Sequence, residues 1–308
     1  MEKVALIIPC FNEEKTIEKV VMDFITELPE LEIYVYNNNS TDNTYNILNN
    51  KKLPIIVRNE FNQGKGNVVR RMFREVNADI YVMVDGDDTY SAKDIKKLIE
   101  PIKNGTADMV VGDRITSGAY KKENKRRFHE FGNDLVKKMI NTLFKSNLQD
   151  VMSGYRAFKK VFVKNVPILS SGFEVETEMT LTALDRKFII KEVPVDYKDR
   201  KDGSVSKLNT FKDGINVLKT ILEMYKNYKP KSFFRIIAVI LLVLGLIITV
   251  PVIIEYIKTK TVSTLPLAIF GTGFMILSAL SLQCRLILDM IVKSKKEKYE
   301  INLINFKK

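Results

Sequence analysis

Apolar and polar positions in the first part of the chain follow two periods, which indicate two kinds of element. Short apolar runs indicate buried strands, and apolar residues recurring every three or four positions indicate helices with one buried face. The predicted strands are Val4–Ile8, Ile33–Tyr36, Ile55–Val57, Ile80–Val84 and Met109–Gly112. The predicted helices are Thr16–Leu28, Thr41–Asn50, Gly66–Val76 and Asp94–Ile102. This alternation predicts an α/β fold with a mostly parallel, Rossmann-type sheet and helices on both faces.

Residues 233–291 are overwhelmingly apolar and predict two transmembrane helices, at about 233–255 and 263–288. Ile236–Ile254 holds 19 residues without a charge, and Thr261–Cys284 holds 24. At about 1.5 Å per residue, each run is long enough to cross a hydrocarbon core of about 30 Å. Buried helices of a soluble core are the alternative, but two such runs with basic flanks favour a membrane hairpin.

The segments on either side of the apolar region are basic and set the expected topology. Residues 211–232 predict a basic amphipathic helix, which lies either in the membrane interface or against the globular domain. Residues 292–308 form a basic tail, whereas the loop Glu255–Lys260 carries a charge of only +1. The positive-inside rule therefore predicts that residues 1–210, the expected globular domain, and both termini lie in the cytoplasm.

The net charge of +12 indicates a polyanionic partner. Nucleic acids, anionic membranes, lipid phosphates and nucleotide diphosphates all qualify. Much of the excess lies beside the apolar region, which favours a membrane surface over a nucleic acid. The two cysteines, Cys10 and Cys284, follow an apolar strand and lie in an apolar helix, so a disulfide between them is not expected. The short strand at Val4, ended by Pro9, predicts no signal peptide.

An acidic cluster, Asp85-Gly86-Asp87-Asp88, directly follows the predicted strand Ile80–Val84. Ligands of such sheets bind outside the carboxyl ends of the strands. Crowded carboxylates repel one another unless a cation lies between them, and hard oxygen ligands suit Mg²⁺ or Mn²⁺ with a diphosphate completing the shell. An ordinary solvated turn is the alternative.

Two basic stretches are candidate phosphate sites. The first lies between a strand and a predicted helix and comprises Arg114, Lys121, Lys122, Lys125, Arg126 and Arg127. The second is a loop around Gly203 that comprises Arg200, Ser206 and Lys207. Arginine presents a planar fork that grips phosphate through two hydrogen bonds. Solvated loops are the alternative for both stretches.

Eight short segments, in this order, resemble family 2 glycosyltransferases of the dolichyl-phosphate mannose synthase and polyprenyl-phosphate glycosyltransferase branch. They run from Ile8-Pro9-Cys10-Phe11-Asn12-Glu13-Glu14 through Asn39-Ser40-Thr41-Asp42, Gln63-Gly64-Lys65-Gly66-Asn67, Asp85-Gly86-Asp87, Val111-Gly112-Asp113-Arg114, Asp150-Val151-Met152-Ser153-Gly154-Tyr155-Arg156 and Gly172-Phe173-Glu174-Val175-Glu176-Thr177-Glu178 to Arg200–Lys207. The resemblance covers residues 4 to about 210 and implies a GT-A-like fold. The predicted hairpin resembles the tail of multi-pass members.

The resemblance also implies roles for individual residues. The implied nucleotide pocket comprises Pro9, Asn12, Glu13 and Asp42, with Lys65 nearby. Asp85 and Asp87 are implied to hold the metal and the donor diphosphate, and Arg114 and Arg126 to bind the lipid phosphate. Arg200, Ser206 and Lys207 are implied to close over the donor phosphates. Two departures concern Asn37 or Asn38, where the family usually has Asp, and Thr89, where mannose synthases often carry a Gln ligand.

A polyprenyl-phosphate acceptor explains why no Ser-His-Asp or Cys-His set is visible in the sequence. A phosphate monoester has a second pKa of about 6, so at neutral pH it is already an anionic nucleophile. The site must then supply positioning and charge stabilisation, for which the catalytic candidates are Asp87, Asp150, Arg200 and Lys207. Direct attack predicts inversion at the anomeric carbon. Asp150 is the candidate for aligning the acceptor or serving as a weak base.

Two other functions share some of these features. A processive polysaccharide synthase uses the same donor chemistry, but such enzymes resemble one another in a Gln-x-x-Arg-Trp element, and this chain has no Trp. A non-enzymatic basic membrane adaptor would have no need for an acidic cluster that opposes binding to anionic lipid. We expect a UDP-sugar donor such as UDP-glucose or UDP-GlcNAc, with GDP-mannose as the alternative. Whether the chain forms a homo-oligomer stays open.

Overall fold

A computed structural model describes residues 2–50, 53–116, 127–172, 174–198, 222–223, 225–227 and 229–306 of the chain. Of Asn50 and residues 127–133 it describes the backbone only. The chain divides into two compact units, Met1–Asp213 and Gly214–Lys308. The predicted amphipathic helix at 211–232 lies mostly outside the described residues, so it stays a prediction.

The first unit contains strands and helices in alternation. Its strands are β1 (Val4–Cys10), β2 (Glu32–Asn37), β3 (Ile55–Asn59), β4 (Ile80–Met83), β5 (Met109–Asp113), β6 (Arg156–Lys159) and β7 (Ile190–Pro194). Its described helices are α1 (Ile17–Glu27), α2 (Thr44–Asn50), α3 (Lys65–Glu75), α4 (Ile95–Lys103), α5 (Arg127–Phe144), α6 (Lys160–Asn165) and α7 (Val175–Asp185). The nine elements predicted up to Gly112 are all present, with ends shifted by up to three residues.

The described strands form one seven-stranded sheet in the order β3-β2-β1-β4-β6-β5-β7. The pairings β1–β2, β2–β3, β1–β4 and β5–β7 are parallel, and only β6 runs antiparallel to its two neighbours. From β1 the chain moves outward to β2 and β3, then returns to place β4 on the other side of β1. This reversal creates a topological switch point between β1 and β4, where ligands of open α/β sheets bind. The predicted, mostly parallel sheet is therefore confirmed.

The sheet is buried on both faces, which explains why its central strands read as continuous apolar runs. Leu6 and Ile8 of β1 face a cluster built with α1 and α4. Ala5 and Ile7 face the opposite cluster, built with α3 and α7. Each fully buried Leu or Ile side chain of β1 stabilises the fold by about 1.5–3 kcal/mol. The packed sheet is thus a rigid platform for the loops at its carboxyl edge.

Two long helices make up most of the described part of the second unit. They are α8 (Pro230–Thr259) and α9 (Leu265–Phe306), and both are long and apolar enough to cross a membrane. Small residues let them pack closely: Ser278 Oγ donates a hydrogen bond to the carbonyl of Ala238 at 2.8 Å, and Gly245 faces Gly271. Helix α9 extends past the predicted end at 288, so the described part of the basic tail continues the helix.

Candidate active site

The acidic turn after β4 lies at the switch point, and a hydrogen bond from the start of α1 fixes its backbone. Thr16 at the start of α1 donates a hydrogen bond from Oγ1 to the carbonyl of Gly86 at 2.7 Å. Asp87 is buried, and its Oδ1 accepts hydrogen bonds from the hydroxyl and backbone N–H of Thr89 at 2.6 and 3.2 Å. Thr89, at the position where a Gln was noted as absent, therefore orients Asp87.

The last carboxylate of the turn is directed elsewhere. Asp88 adopts a left-handed backbone conformation with φ 60°. Its Oδ1 forms an ion pair with Lys19 Nζ of α1 at 2.6 Å, and Lys19 also pairs with Asp23. Asp88 is thus engaged with α1, whereas Asp85 and Asp87 are the two carboxylates that the sequence resemblance implies for binding a cation.

Asp85 forms an ion pair with Lys65, the first residue of α3. The Lys65 ammonium also pairs with Oε1 of Glu176, in the first turn of α7, at 2.5 Å. Burial lowers the pKa of Lys65, but the charges of Asp85 and Glu176 outweigh burial and hold this pKa above its ordinary value. Lys65 is therefore a fixed positive charge between two carboxylates, and the sequence assigned no role to Glu176.

Gly154 makes room for the Asp85 carboxylate. The antiparallel register pairs Met83 of β4 with Arg156 of β6, and its continuation brings Gly154 opposite Asp85. A Cβ on Gly154 would lie 2.4 Å from Asp85 Oδ2. The backbone N–H of Gly154 donates a hydrogen bond to the hydroxyl of Tyr90 at 3.0 Å, which fixes the loop. Only glycine at 154 leaves this carboxylate in place.

The position of Lys65 depends on close packing at the start of α3. A Cβ on Gly64, where φ is 127°, would lie 2.1 Å from the carbonyl oxygen of Ser171, and the N–H of Gly66 donates to that oxygen at 3.0 Å. Arg70 of α3 in turn donates to the carbonyls of residues 168–170, at 2.6 to 2.9 Å. The helix start and this loop therefore form one braced unit.

The predicted nucleotide pocket lies where the loops after β1 and β2 meet. The Oδ1 of Asn12 accepts the N–H of Thr41 at 2.8 Å. Asp42 accepts the N–H of Glu14 at 3.2 Å and that of Thr44 at 2.9 Å. Glu13 and Pro9 belong to the same loop and strand end, and the Glu13 N–H donates to Thr44 Oγ1 at 2.8 Å. The structure brings these four predicted residues together, while their contacts with a nucleotide stay predicted.

Asn38, one of the two asparagines noted as a departure from the family pattern, joins the end of β2 to the loop between β3 and α3. It is buried, and its Nδ2 donates to the carbonyls of Glu60 and Asn62 at 3.0 and 2.8 Å. Its Oδ1 accepts the N–H of Gly64 at 2.8 Å. An aspartate here would face two carbonyls without a proton to donate. The amide therefore has a structural reason to be present.

Arg114 and Asp150 form a buried ion pair at the carboxyl end of β5. Nε and Nη2 of Arg114 lie 2.7 and 2.9 Å from the two carboxylate oxygens, and the guanidinium lies 5.4 Å from the ring centroid of Tyr197. Burial alone would raise the pKa of Asp150, but Arg114 outweighs burial and lowers it. Glu192 accepts the Asp150 N–H at 2.7 Å. This geometry suits positioning of Arg114 better than proton abstraction by Asp150.

The other four candidate residues are Arg126, Arg200, Ser206 and Lys207, and all of them lie outside the described residues. Their roles stay predictions. Sequence reasoning assigned no role to Glu176, Gly154 or Arg156. Arg156 is fully buried and donates to the carbonyls of Val151 and Ser153 at 2.8 Å, which shapes the loop after Asp150. Glu176, Gly154 and Arg156 all lie inside segments that resemble the family, and this was the only feature of the sequence that pointed to them.

The acidic turn has the chemistry of a site for a hard divalent cation. Among the described residues, no group of three or more His, Cys, Asp or Glu side chains converges to form a complete site. Mg²⁺ is usually bound by one or two carboxylates together with substrate phosphates. The oxygens of Asp85 and Asp87 fit that pattern.

Comparison with known proteins identifies the class. Residues 5–166 match the family described as glycosyl transferase family 2. The chain belongs to glycosyl transferase family 2 and is an enzyme of the hexosyltransferase type. The match spans β1 to the end of α6 and so includes the acidic turn and the Arg114–Asp150 pair.

The relatives narrow the class to the polyprenyl-phosphate glycosyltransferase type. Glycosyltransferase AglJ of Haloferax volcanii is 26% identical over 297 residues, 96% of each chain. The UDP-N-acetylglucosamine–dolichyl-phosphate N-acetylglucosaminyltransferase of Methanococcus voltae is 30% identical over 219 residues, 62% of this chain and 83% of that one. The dolichol-phosphate mannosyltransferase of Pyrococcus furiosus is 29% identical over 238 residues, 74% of this chain and 64% of that one.

A solved structure supports the fold. Glucosyl-3-phosphoglycerate synthase from Mycobacterium tuberculosis is similar with a TM-score of 0.60 and 20% identity, over 72% of this chain and 80% of that one. Another structure of that enzyme contains Mn²⁺ and UDP-glucose. At this identity the likeness shows the shared GT-A-like fold.

Proposed function

We propose that this enzyme transfers a sugar, with inversion, from a nucleotide-sugar to a polyprenyl phosphate at the cytoplasmic face of a membrane. The observation that carries the proposal is the acidic turn at the switch point between β1 and β4, where Asp85 and Asp87 follow the buried strand β4. Family membership supports sugar transfer from a nucleotide donor. The two membrane-length helices support a lipid acceptor.

On the donor side, the loops after β1 and β2 form the nucleotide pocket. Asn12 and Asp42 brace these loops through the hydrogen bonds described above, and Pro9 and Glu13 complete the pocket. Asp85 and Asp87 would hold a divalent metal, Mg²⁺ or Mn²⁺, and the chemistry that such a metal would supply there is Lewis-acid stabilisation of the negative charge on the diphosphate. Lys65 contributes a second positive charge beside Asp85.

On the acceptor side, the nucleophile is a phosphate oxygen that is already anionic near neutral pH. A strong general base is therefore unnecessary, and the protein's task is to orient the phosphate. Arg114 binds it together with Arg126, while Asp150 fixes the plane of the Arg114 guanidinium through the bidentate pair. Asp150 has a lowered pKa, so it acts here by positioning rather than as a base.

The leaving diphosphate is covered from the other side by Arg200, Ser206 and Lys207. This assignment rests on the sequence resemblance, because the three residues lie outside the described residues. A guanidinium, a hydroxyl and an ammonium supply hydrogen-bond donors to the charge that develops on the leaving group.

The donor is a UDP-sugar, UDP-GlcNAc or UDP-hexose, with GDP-mannose as the rival. The Methanococcus voltae relative is named as an enzyme that uses UDP-N-acetylglucosamine, which supports a UDP-sugar. The Pyrococcus furiosus relative is named as a mannosyltransferase, which keeps mannose as the rival sugar. A processive polysaccharide synthase stays the second candidate, and the absence of Trp from the chain argues against it.

The test uses purified full-length protein in detergent with Mn²⁺, a short polyprenyl phosphate and each of UDP-glucose, UDP-GlcNAc and GDP-mannose. Mass spectrometry should detect a polyprenyl phosphate enlarged by one sugar with one preferred donor. Asp87→Asn serves as the inactive control, because it removes one charge from the metal site. A product enlarged by a series of sugars would favour the processive synthase, and no lipid product with any donor would contradict the proposal.

A further inference from the structure

Glu176 forms an ion triad with Lys65 and Asp85, and the proposed chemistry gives Glu176 no role. The Glu176 side chain is only 6% exposed and that of Lys65 only 10%, whereas Asp85 is 26% exposed and faces the site. The Lys65 ammonium therefore contacts Glu176 toward the protein interior and Asp85 toward the candidate active site. Buried carboxylates of this kind need a counter-charge.

Three separate elements hold the triad in place. Lys65 begins α3, Asp85 follows β4, and Glu176 lies in the first turn of α7. The start of α3 is pinned by contacts of Gly64 and Gly66 with the loop that leads to α7. Glu178 of α7 accepts the N–H groups of Leu169 and Ser170 in that loop, both at 2.9 Å. The Lys65–Glu176 pair is consequently braced at both ends.

The ammonium occupies one oxygen of a carboxylate that the proposed function assigns to a metal. Asp85 Oδ1 pairs with Lys65, while Oδ2 lies over Gly154. A divalent cation that binds Asp85 meets electrostatic repulsion from the ammonium and shares its carboxylate. Without a metal, the ammonium neutralises Asp85 and reduces its repulsion with Asp87 in the same turn.

We propose that Lys65 is the resident cation of the acidic turn and competes with the divalent metal for Asp85, and that Glu176 is the positioning residue that retains the ammonium when the metal binds. This inference rests on the proposed function, because it takes Asp85 and Asp87 as the metal ligands. Its consequence is that the bare site binds metal weakly, and that the metal enters together with the donor diphosphate.

The inference predicts opposite changes in metal affinity for two substitutions. Lys65→Met removes the competing ammonium and should tighten Mn²⁺ binding by about tenfold or more, the effect expected for one charged hydrogen bond. Glu176→Gln leaves the ammonium with Asp85 alone and should weaken Mn²⁺ binding. Lys19→Met is the matched control, since Lys19 pairs with Asp88 of the same turn but is exposed. Its effect should stay within about twofold.

The measurement is Mn²⁺ titration of full-length protein in detergent, followed by electron paramagnetic resonance, first without nucleotide and then with UDP. Because Lys65→Met leaves Glu176 unpaired, the double variant Lys65→Met/Glu176→Gln guards against a folding defect and should bind Mn²⁺ more tightly than Glu176→Gln. The inference would be overturned if Lys65→Met bound Mn²⁺ no more tightly than wild type and the double variant bound it no more tightly than Glu176→Gln.

The titration with UDP separates this failure from that of the proposed function. Wild-type protein should bind Mn²⁺ in the presence of UDP, and Asp87→Asn should lose that binding. If this difference is present but the Lys65 variants show no tightening, only the competition is wrong. If no variant binds Mn²⁺ with or without UDP, the metal site and the competition are both wrong.

Discussion

Arg114 and Asp150 form one bidentate ion pair, although the sequence analysis gave them separate roles. The pair joins the end of β5 to the loop before β6 through contacts of 2.7 and 2.9 Å. Glu192 holds the backbone N–H of Asp150, and Tyr197 lies against the guanidinium. An acceptor phosphate that binds Arg114 therefore meets a guanidinium whose orientation is already fixed.

Asp150→Asn should lower both stability and acceptor affinity. Removing one partner of a buried pair costs about 3–5 kcal/mol in the free energy of unfolding. Because Arg114 lowers the pKa of Asp150, this stabilisation is present above the unfolded-state pKa of about 3.9 and is lost as the pH falls through the folded-state pKa. The stability difference from wild type should thus be full at pH 7 and shrink below about pH 4.

Thermal and denaturant unfolding of the full-length protein at pH 7 and at pH 3.5 measure this difference. Steady-state kinetics at pH 7 should show a KM for lipid phosphate raised about tenfold and a nearly unchanged KM for the donor. Asp134→Asn is the control, because its ion pair with Lys137 is exposed and should contribute less than about 1 kcal/mol. An unchanged acceptor KM in a folded Asp150→Asn protein would contradict the positioning role.

Gly154→Ala should displace Asp85 and impair catalysis. The added Cβ would lie 2.4 Å from Asp85 Oδ2, so the carboxylate must move. A displacement of about 1 Å in a catalytic group costs about 100-fold in rate, and we expect a loss of 10- to 100-fold in kcat. Gly273→Ala, where a Cβ would meet nothing within 4 Å, should be neutral. Wild-type kcat in Gly154→Ala would mean that the position of Asp85 does not matter.

Arg126→Ala should affect the lipid-phosphate acceptor, whereas Lys207→Ala should affect the nucleotide-sugar donor. Both residues lie outside the described residues, so this expectation comes from the sequence. Arg126→Ala should raise the KM for lipid phosphate, and Lys207→Ala should weaken donor binding, each by about tenfold or more. Arg126→Lys should restore only part of the loss, because an ammonium cannot form two parallel hydrogen bonds. Equal weakening of donor binding by both alanine variants would place Arg126 in the nucleotide site.

The hairpin should place its connecting loop on the side opposite the catalytic domain. Single cysteines at Lys258 and Lys296, introduced in a Cys284→Ser background, can be labelled in sealed vesicles with an impermeant maleimide. We expect Lys296→Cys to react from the side on which the catalytic domain is exposed, and Lys258→Cys from the other side only. Labelling of both positions from one side would exclude a hairpin.

The sequence predicted the elements with strong local patterns and missed those defined by distant contacts. Val4–Ile8 is apolar throughout because β1 is buried on both faces, and it was predicted correctly. Strand β6, Arg156–Lys159, begins and ends with a basic residue and shows no such pattern. Its Arg156 is buried because it bonds to carbonyls of the preceding loop, which no periodicity indicates.

The candidate site divides in the same way. Asp85 and Asp87 were predictable, because an acidic cluster at the end of an apolar strand is a local feature. Glu176 was not, because its importance comes from a contact with Lys65 that two distant helices create. Nor did the sequence show that Asp150 is committed to Arg114, which lies 36 residues earlier.

The most direct test of the central claim compares two acceptors of equal chain length, a polyprenyl phosphate and the corresponding polyprenol, with the preferred donor and Mn²⁺. The account predicts sugar transfer to the phosphate with an inverted anomeric configuration. It predicts transfer to the alcohol at least about 100-fold slower, since a neutral hydroxyl would need a general base, and Asp150, the candidate for that role, is paired with Arg114. Equal rates with both acceptors, or transfer to the alcohol alone, would contradict the claim that the lipid phosphate is the nucleophile.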